Sequence, residues 1–263
     1  MPAIAPPDAR APGPAPDPAP APGASPDPDA LPGVKPAEQA RSRALRDRFV
    51  DAGRAQLLHR RADDLSVPEL ARAAGSSVGG FYSRFETKEA FFAFLRARMQ
   101  AEHDAAFARA LAPERLAGAP LPEAAAAFVD CMIGLYTGPW RGVLREACAR
   151  LQDRPEDWSP LRARGAALGD RLAAALAETR DETRDEAGAE TRDDARDDAR
   201  EDTRPGLLAD RPDAARRVGF AVQMVFSVLN NEMMTPGLRF DAKDPAFAPF
   251  LAEMFAGFLA APR

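Results

Sequence analysis

The sequence contains few of the residues that most often carry catalysis or bind metals. Its 263 residues include two histidines and two cysteines. The sequence shows no Ser/His/Asp set, metal cluster or phosphate-binding loop. We interpret His59 and His103 as solvated helix residues. Cys131 and Cys148 have apolar neighbours and no ligand-spaced partner, as expected of small buried hydrophobes. We therefore predict that the protein is not an enzyme and has neither a metal nor a cofactor.

Long apolar segments are also missing. The N-terminus lacks the basic stretch followed by an apolar stretch that marks a signal peptide. The longest strongly apolar run without charge covers residues 218–231, only 14 positions. A helix that crosses a bilayer needs about 20 apolar residues. These observations predict a soluble cytoplasmic protein with no membrane partner.

Strand signals are nearly absent, whereas Ala, Leu, Arg and Glu recur at helical spacing, which predicts an all-α fold. In the last segment every large apolar residue follows one helical stripe: Phe247, Phe250, Leu251, Met254, Phe255, Phe258 and Leu259. The preceding helix, predicted at residues 212–234, is apolar all round. Such a helix must be covered on several sides, either by the core or by the core together with a partner subunit.

Two segments have a composition that cannot form a core. Residues 1–36 hold 13 of the 26 prolines, so we expect a disordered Pro/Ala-rich arm over residues 1–37. Residues 178–204 form an imperfect charged repeat with six arginines, twelve acidic residues and no large apolar side chain. We interpret this repeat as a solvated insertion, with an acidic DNA mimic or docking tail as the less favoured alternative.

The formal net charge of −5 conceals an uneven distribution. The proline-rich residues 1–33 carry −3 and residues 178–204 carry −6, whereas residues 34–112 carry 14 basic and 10 acidic side chains, a net charge of +4. Only this block is positive, as binding to the phosphates of a nucleic acid would require.

The positive block contains signals for two short helices joined by a tight turn. After a helix predicted over residues 41–58, Ser66 stands in capping-box register with Glu69. Gly75 ends this second helix, because glycine adopts the left-handed conformation common at helix ends. Ser77 then caps a third helix, in which Phe81 faces inward.

Thr87 caps a long fourth helix, predicted over residues 88–111. Two short helices, braced by one helix before them and one after, form the geometry that seats a recognition helix in the major groove of DNA. The sequence therefore predicts a helix-turn-helix unit.

The residues Glu69 to Phe91, ELARAAGSSVGGFYSRFETKEAF, resemble the TetR family of regulators. The resemblance implies about nine helices, with a DNA-binding domain at residues 38–87 and a regulatory and dimerisation domain at residues 88–263. It also implies that Tyr82 and Lys88 hold phosphates. The predicted DNA-binding residues are Ser66, Ser77, Val78, Gly79, Gly80, Tyr82, Arg84 and Lys88.

Three positions depart from the common pattern of the family. Ser76 replaces an apolar residue, Val78 a polar or basic one, and Gly80 a threonine or similar residue. Two adjacent glycines weaken a helix by about 1 kcal/mol each relative to alanine. We therefore expect few base contacts, with Val78 against a thymine methyl and more of the binding carried by phosphates and Arg84.

The helices that surround the ligand cavity in TetR-type proteins carry a set of large or soft apolar side chains here. Each residue alone is more simply interpreted as core, but together they predict an apolar ligand pocket with few polar anchors. The predicted lining residues are Cys131, Tyr136, Trp140, Trp158, Phe220 and Met224.

The resemblance implies a homodimeric repressor of transcription whose last two helices form a four-helix interface. Two recognition helices would then meet a palindromic stretch of double-stranded DNA about one turn apart. A small hydrophobic ligand would release it from DNA. The alternative is an all-α interaction protein that has lost DNA binding, which Val78, Gly80 and the acidic insertion favour.

Overall fold

The computed structural model of the protein describes residues 26–116, 118–153, 158–176, 211–235, 237–238 and 241–261. Within these ranges the regular elements are helices, and an isolated bridge pairs Val34 with Phe85. The prediction of an all-α fold is confirmed. The charged insertion and the first 25 residues of the predicted arm lie outside the described residues.

The N-terminal part holds a 3-10 turn (Pro28–Ala30), α1 (Ala40–Leu57), α2 (Val67–Ala73), α3 (Val78–Tyr82) and α4 (Lys88–Ala110). The C-terminal part holds α5 (Pro113–Leu116), α6 (Leu121–Thr137), α7 (Arg141–Asp153), α8 (Trp158–Leu176), α9 (Ala214–Met234) and α10 (Phe247–Ala260). The described part of the chain thus has ten α-helices, and the short α5 is the one the sequence pattern missed. None of them combines the length and apolar character needed to cross a bilayer.

Two hydrophobic cores share the long helix α4. In the N-terminal core, phenylalanines from α1, α3 and α4 meet the short helix α2, and Phe91 of α4 is fully buried there. In the C-terminal core, α6 lies against α10 and α8 lies against α9, and Phe107 of α4 reaches this second cluster. Burying one such aromatic side chain contributes roughly 1.5–3 kcal/mol. Helix α4 therefore joins the two halves through continuous packing.

Residues 27–37, here called the N-terminal strap, pack on the N-terminal core. Val34 is only 8% exposed and belongs to that core. Gly33 has φ +76°, a conformation that favours glycine, and a Cβ there would lie 3.0 Å from the Cβ of Ala90. The predicted arm, residues 1–37, therefore differs from the structure over its last eleven positions. The pairing of the strap with a distant segment supplies the order, and local composition cannot reveal such a contact.

Helix α9 divides its apolar residues between the core and the surface. Val218, Val222 and Val225 are buried in the C-terminal core. Phe220 is 51% exposed, and on α10 Phe250 is 58% exposed. The core thus covers one side of α9 and leaves the side that carries Phe220 half exposed.

Candidate nucleic-acid interface

Helix α2 begins with the predicted capping box. The Ser66 hydroxyl accepts a hydrogen bond from the Glu69 backbone N–H at 3.4 Å and donates one to the Glu69 carboxylate at 2.7 Å. The backbone N–H of Ser66 donates to the same carboxylate at 2.9 Å. The hydroxyl of Ser66, followed by Arg60, lowers the pKa of Glu69 to about 2. Ser66 is exposed, but its hydroxyl proton is already used to fix the helix start.

The turn between α2 and α3 is closed by backbone hydrogen bonds around Gly75. The Ser76 N–H donates to the carbonyl of Ala71 at 2.8 Å, and the Gly75 N–H donates to that of Arg72 at 3.1 Å. Gly75 has φ +58°, so the turn has the two hydrogen bonds and the left-handed residue of a Schellman motif. This geometry fixes the direction in which α3 leaves the turn.

Helix α3 presents most of its residues to solvent. Ser77 caps it by accepting the N–H of Gly80 at 3.0 Å. Phe81 is fully buried, whereas Val78 is 40% exposed and Tyr82 is 45% exposed. Ser77 and Gly79 are also exposed, and Gly80 is half-buried. Helix α3 therefore has one buried anchor and an outward face that carries the predicted base-reading and phosphate-binding residues.

The departures at Ser76 and Gly80 are in contact with each other. A Cβ on Gly80 would lie 2.4 Å from the hydroxyl oxygen of Ser76. This neighbour is the end of a rotatable side chain, so a larger residue at position 80 requires only that the hydroxyl turn away. Because Gly80 has no side chain, nothing projects from the helix surface at this position.

A cluster of aromatic rings supports α3 from behind. The ring centroid of Phe81 lies 5.4 Å from that of Phe49 on α1, and the two planes meet at 87°. Phe81 also lies 5.5 Å from Phe91 on α4, edge to face. Edge-to-face pairs contribute about 0.5–1.5 kcal/mol beyond the burial of their surface. The two bracing helices thus hold the recognition helix through one side chain.

The two basic residues predicted to bind DNA, Lys88 and Arg84, have partners within the protein. The ammonium of Lys88 donates to the carbonyls of Leu65 at 3.0 Å and Ala62 at 3.3 Å, in the loop before α2. The guanidinium of Arg84 donates to the carbonyl of Pro36 in the N-terminal strap at 3.2 Å. Both side chains are half-buried. The Lys88 ammonium also donates to the carbonyl of Asp63 at 3.4 Å, so its three N–H donors all have partners within the protein. The guanidinium of Arg84 keeps further donors for a ligand.

Sequence reasoning missed the N-terminal strap as a neighbour of this surface. The ammonium of Lys35, an exposed residue of the strap, donates to the carbonyl of Tyr82 at 2.8 Å. The one local signal was Val34, an apolar residue at the end of the proline-rich segment and next to the first lysine.

The structure does not gather all the predicted pocket residues around one cavity. Trp140 lines a cleft of about 270 Å³ between α4 and the end of α6, together with Glu102 and His103. Tyr136 is buried in the C-terminal core, where its hydroxyl is hydrogen-bonded at 3.0 Å to the side-chain oxygen of Asn230. Burial raises the pKa of the Tyr136 phenol.

The remaining predicted pocket residues lie elsewhere. Phe220 is half exposed and packs against Phe258, with ring centroids 5.4 Å apart. Met224 and Cys131 are half-buried on α9 and α6, and burial raises the pKa of the Cys131 thiol. The side chain of Trp158 lies outside the described residues. In the described ranges, no three His, Cys, Asp or Glu side chains are grouped as metal ligands would be.

Helix α7 contacts the helix-turn-helix unit directly. The guanidinium of Arg145 donates to the carbonyls of Leu57 at 2.7 Å and Leu58 at 3.2 Å, which end α1. Glu146, buried at 6% exposure, pairs with Arg61 of the following loop at 3.0 Å. The positive charge of Arg145 thus lies at the negative end of the α1 dipole, a favourable arrangement.

Comparison with known proteins agrees with this geometry. Residues 49–94, which run from the middle of α1 into α4, match the family described as bacterial regulatory proteins, tetR family. Over 62 residues the chain is 39% identical to the Bacillus subtilis (strain 168) protein named "Uncharacterized HTH-type transcriptional regulator YwcC". That match covers 24% of this chain and 28% of the relative, so the chain spans little more than a quarter of the relative's length. The helix-turn-helix segment of the chain, residues 49–94, is therefore similar to the tetR family of bacterial regulatory proteins.

Proposed function

We propose that the protein is a DNA-binding transcription regulator, a homodimeric repressor that a small hydrophobic ligand releases from a near-palindromic operator. The outward face of α3 carries this proposal: Val78 and Tyr82 are exposed while Phe81 fixes the helix to the aromatic cluster. A rigid helix with a free face fits the major groove. The net charge of +4 over residues 34–112 supplies the attraction to phosphates.

Exposed apolar side chains on α9 and α10 support the homodimer. Four large ones are at least 36% exposed: Phe220, Val228, Phe250 and Met254. Both helices belong to the C-terminal core, so this apolar surface is rigid, and large apolar patches mark interaction sites. A second copy of the chain, related by a two-fold axis, would cover the same surface on each subunit and bring two α3 helices to one DNA site.

The contact between α7 and α1 supports control by a ligand. Trp140, at the start of α7, lines the cleft beside α4, and Arg54 of α1 lies over its ring at 4.6 Å. A small apolar ligand held by this part of the C-terminal half would favour one placement of α7 and thereby of α1. It weakens DNA binding only through its different affinities for the two states. Such a regulator acts where the DNA is, in the cytoplasm.

Selection from a random pool of double-stranded DNA tests the proposal. The full-length protein is expected to enrich a sequence with two related half-sites and to bind it more weakly as salt rises. Fluorescence anisotropy with the enriched and a scrambled duplex measures the preference. Failure to enrich any sequence, together with no retention of DNA at low salt, would overturn DNA binding.

Removal of the Tyr82 hydroxyl distinguishes a DNA-binding regulator from an interaction protein that has lost DNA binding. Tyr82→Phe removes the group expected to donate to a phosphate in each subunit, so it should weaken DNA binding by the dimer about a hundredfold, about tenfold for each of the two hydrogen bonds to a charged group. Lys243→Met, an exposed lysine between α9 and α10, is the matched control and should bind like the parent. An interaction protein would show no difference between the two variants.

A further inference from the structure

The N-terminal strap is joined to the end of the recognition helix by backbone pairing. The Lys35 N–H donates to the carbonyl of Arg84 at 2.8 Å, and the Glu86 N–H donates to the carbonyl of Gly33 at 2.8 Å. These two hydrogen bonds flank the bridge between Val34 and Phe85. The backbone of residue 35 therefore has a fixed position relative to the segment that directly follows α3.

A second set of contacts holds the strap from the other side. Asp29 pairs with Arg46 of α1, which is only 5% exposed. The guanidinium of Arg46 also lies over the ring of Phe94 on α4, 5.1 Å from its centroid. At Gly33, the positive φ is strained for a residue with a side chain, and a Cβ would lie 3.0 Å from that of Ala90, so a larger residue requires the strap or Ala90 to shift. The strap is thus fixed to α1, α4 and the end of α3.

This arrangement places an ammonium group at the C-terminal end of α3. Lys35 is exposed, and its Nζ lies 2.8 Å from the carbonyl oxygen of Tyr82, the last residue of α3. The carbonyl end of a helix carries a partial negative charge that attracts a cation. One contact uses one of the three N–H donors of the ammonium, so two remain available. The side chain of Tyr82 itself is 45% exposed.

We propose that Lys35 is a further phosphate-binding residue, so that the N-terminal strap forms part of the DNA interface. This proposal rests on the proposed DNA binding. The chain has three lysines, Lys35, Lys88 and Lys243. Lys35 meets the end of the recognition helix, and Lys88 begins the helix that follows it. The two ammonium groups would thus contact the DNA backbone at two places, one at the end of α3 and one beside the loop that precedes α2.

The salt dependence of DNA binding tests the role of Lys35. Each phosphate neutralised by the protein contributes about 0.9 to the slope of log affinity against log salt. Lys35→Met in the full-length dimer should therefore lower the slope by about 1.8, two contacts at about 0.9 each. Lys35→Arg should keep the slope of the parent, and Lys243→Met serves as the control for an exposed lysine away from α3.

Displacing the strap gives an independent test. Gly33→Ala should remove Lys35 from its position and lower the slope to the value of Lys35→Met. Adding Lys35→Met to Gly33→Ala should then change the slope no further. Circular dichroism and thermal unfolding of each variant report whether the helices remain formed. A residue that only caps α3 would lower the melting temperature and leave the slope unchanged.

The outcomes separate this inference from the proposed function. If the parent protein binds DNA and Lys35→Met keeps the parental slope, the role of Lys35 is refuted while DNA binding stands. If the parent protein retains no DNA at low salt, both proposals are overturned. A slope reduced in Lys35→Met and Gly33→Ala, but in neither Lys35→Arg nor Lys243→Met, supports the inference.

Discussion

The two cores of the molecule differ in how they are built. The N-terminal core is a network of aromatic rings from three helices, and side-chain caps fix the start of α2, α3 and α4. The C-terminal core is dominated by aliphatic residues and alanine, and its two fully buried phenylalanines, Phe128 and Phe255, form a ring pair with centroids 5.1 Å apart. In the described ranges α6, α9 and α10 begin without a side-chain cap.

This difference follows from the length of the helices. Helices α2 and α3 have seven and five residues, and such short helices are unstable alone, so they depend on caps and on individual large side chains. Helices α9 and α10 have 21 and 14 residues and are stabilised by long apolar faces. The N-terminal half should therefore respond more strongly to single substitutions.

The largest expected effect is the loss of the ring that holds α3. Phe81→Ala should reduce the free energy of unfolding by about 3–5 kcal/mol, because Phe81 is fully buried and is the only buried residue of its helix. Urea unfolding measures this loss. The comparison variant is Phe128→Ala in the C-terminal core, where α6 keeps six other buried residues. An N-terminal loss smaller than the C-terminal one would contradict the difference drawn between the cores.

A second prediction concerns the pH dependence of the free energy of unfolding, to which His103 and Glu69 contribute in different pH ranges. His103, on the second half of α4, is partly buried and not solvated as the sequence suggested, and this burial lowers its pKa to about 4. Between pH 6.5 and 4 the unfolded chain takes up a proton that the folded protein does not, so stability falls as pH falls, by about 3 kcal/mol at most. The contribution of Glu69, whose pKa is lowered to about 2, is complete above pH 4.5 and is lost below it.

Urea unfolding at pH 7 and at pH 5 checks this prediction. His103→Gln should remove most of the dependence that His103 causes between these values, whereas Glu69→Gln should leave it in place. A parental dependence that persists in full in His103→Gln would show that another group titrates in this range.

The smallest expected effects are those of a glycine-to-alanine substitution, made once in each half of the molecule. Gly75→Ala forces alanine into the left-handed region at φ +58°, which costs about 1–2 kcal/mol. Gly134→Ala lies within α6 with nothing within 4 Å of the new Cβ, so it should stabilise the protein by up to about 1 kcal/mol. Thermal unfolding should shift in opposite directions, and shifts of the same sign would disprove this account of the two glycines.

The sequence predicted local structure better than distant contacts. The capping box of Ser66, the end of α2 at Gly75 and the cap at Ser77 all depend on residues within four positions of one another, so their patterns were visible. The contact of residues 33–35 with residues 84–86 was not, because proline and alanine gave no sign of a partner 50 positions away.

Surface and interior were also difficult to separate in the C-terminal half. Helical periodicity identified α10 correctly, but Phe250 and Met254 belong to its stripe and are exposed. Phe220 was expected beside a ligand and instead packs on the outer side of α9 against Phe258. Apolar character predicts that a side chain will be covered, and it does not say whether the cover is the core, a ligand or another subunit.

Where α7 meets the end of α1, the two backbones are so close that no side chain fits between them. A Cβ at Gly142 would lie 2.5 Å from the carbonyl carbon of Leu57 and 2.6 Å from the N atom of Leu58, so the two backbones touch. Side chains between helices can change rotamer and absorb small displacements, whereas bare backbone transmits them. This junction is consequently mechanically stiff, and a movement of α7 by a fraction of an ångström displaces the end of α1 by a similar amount.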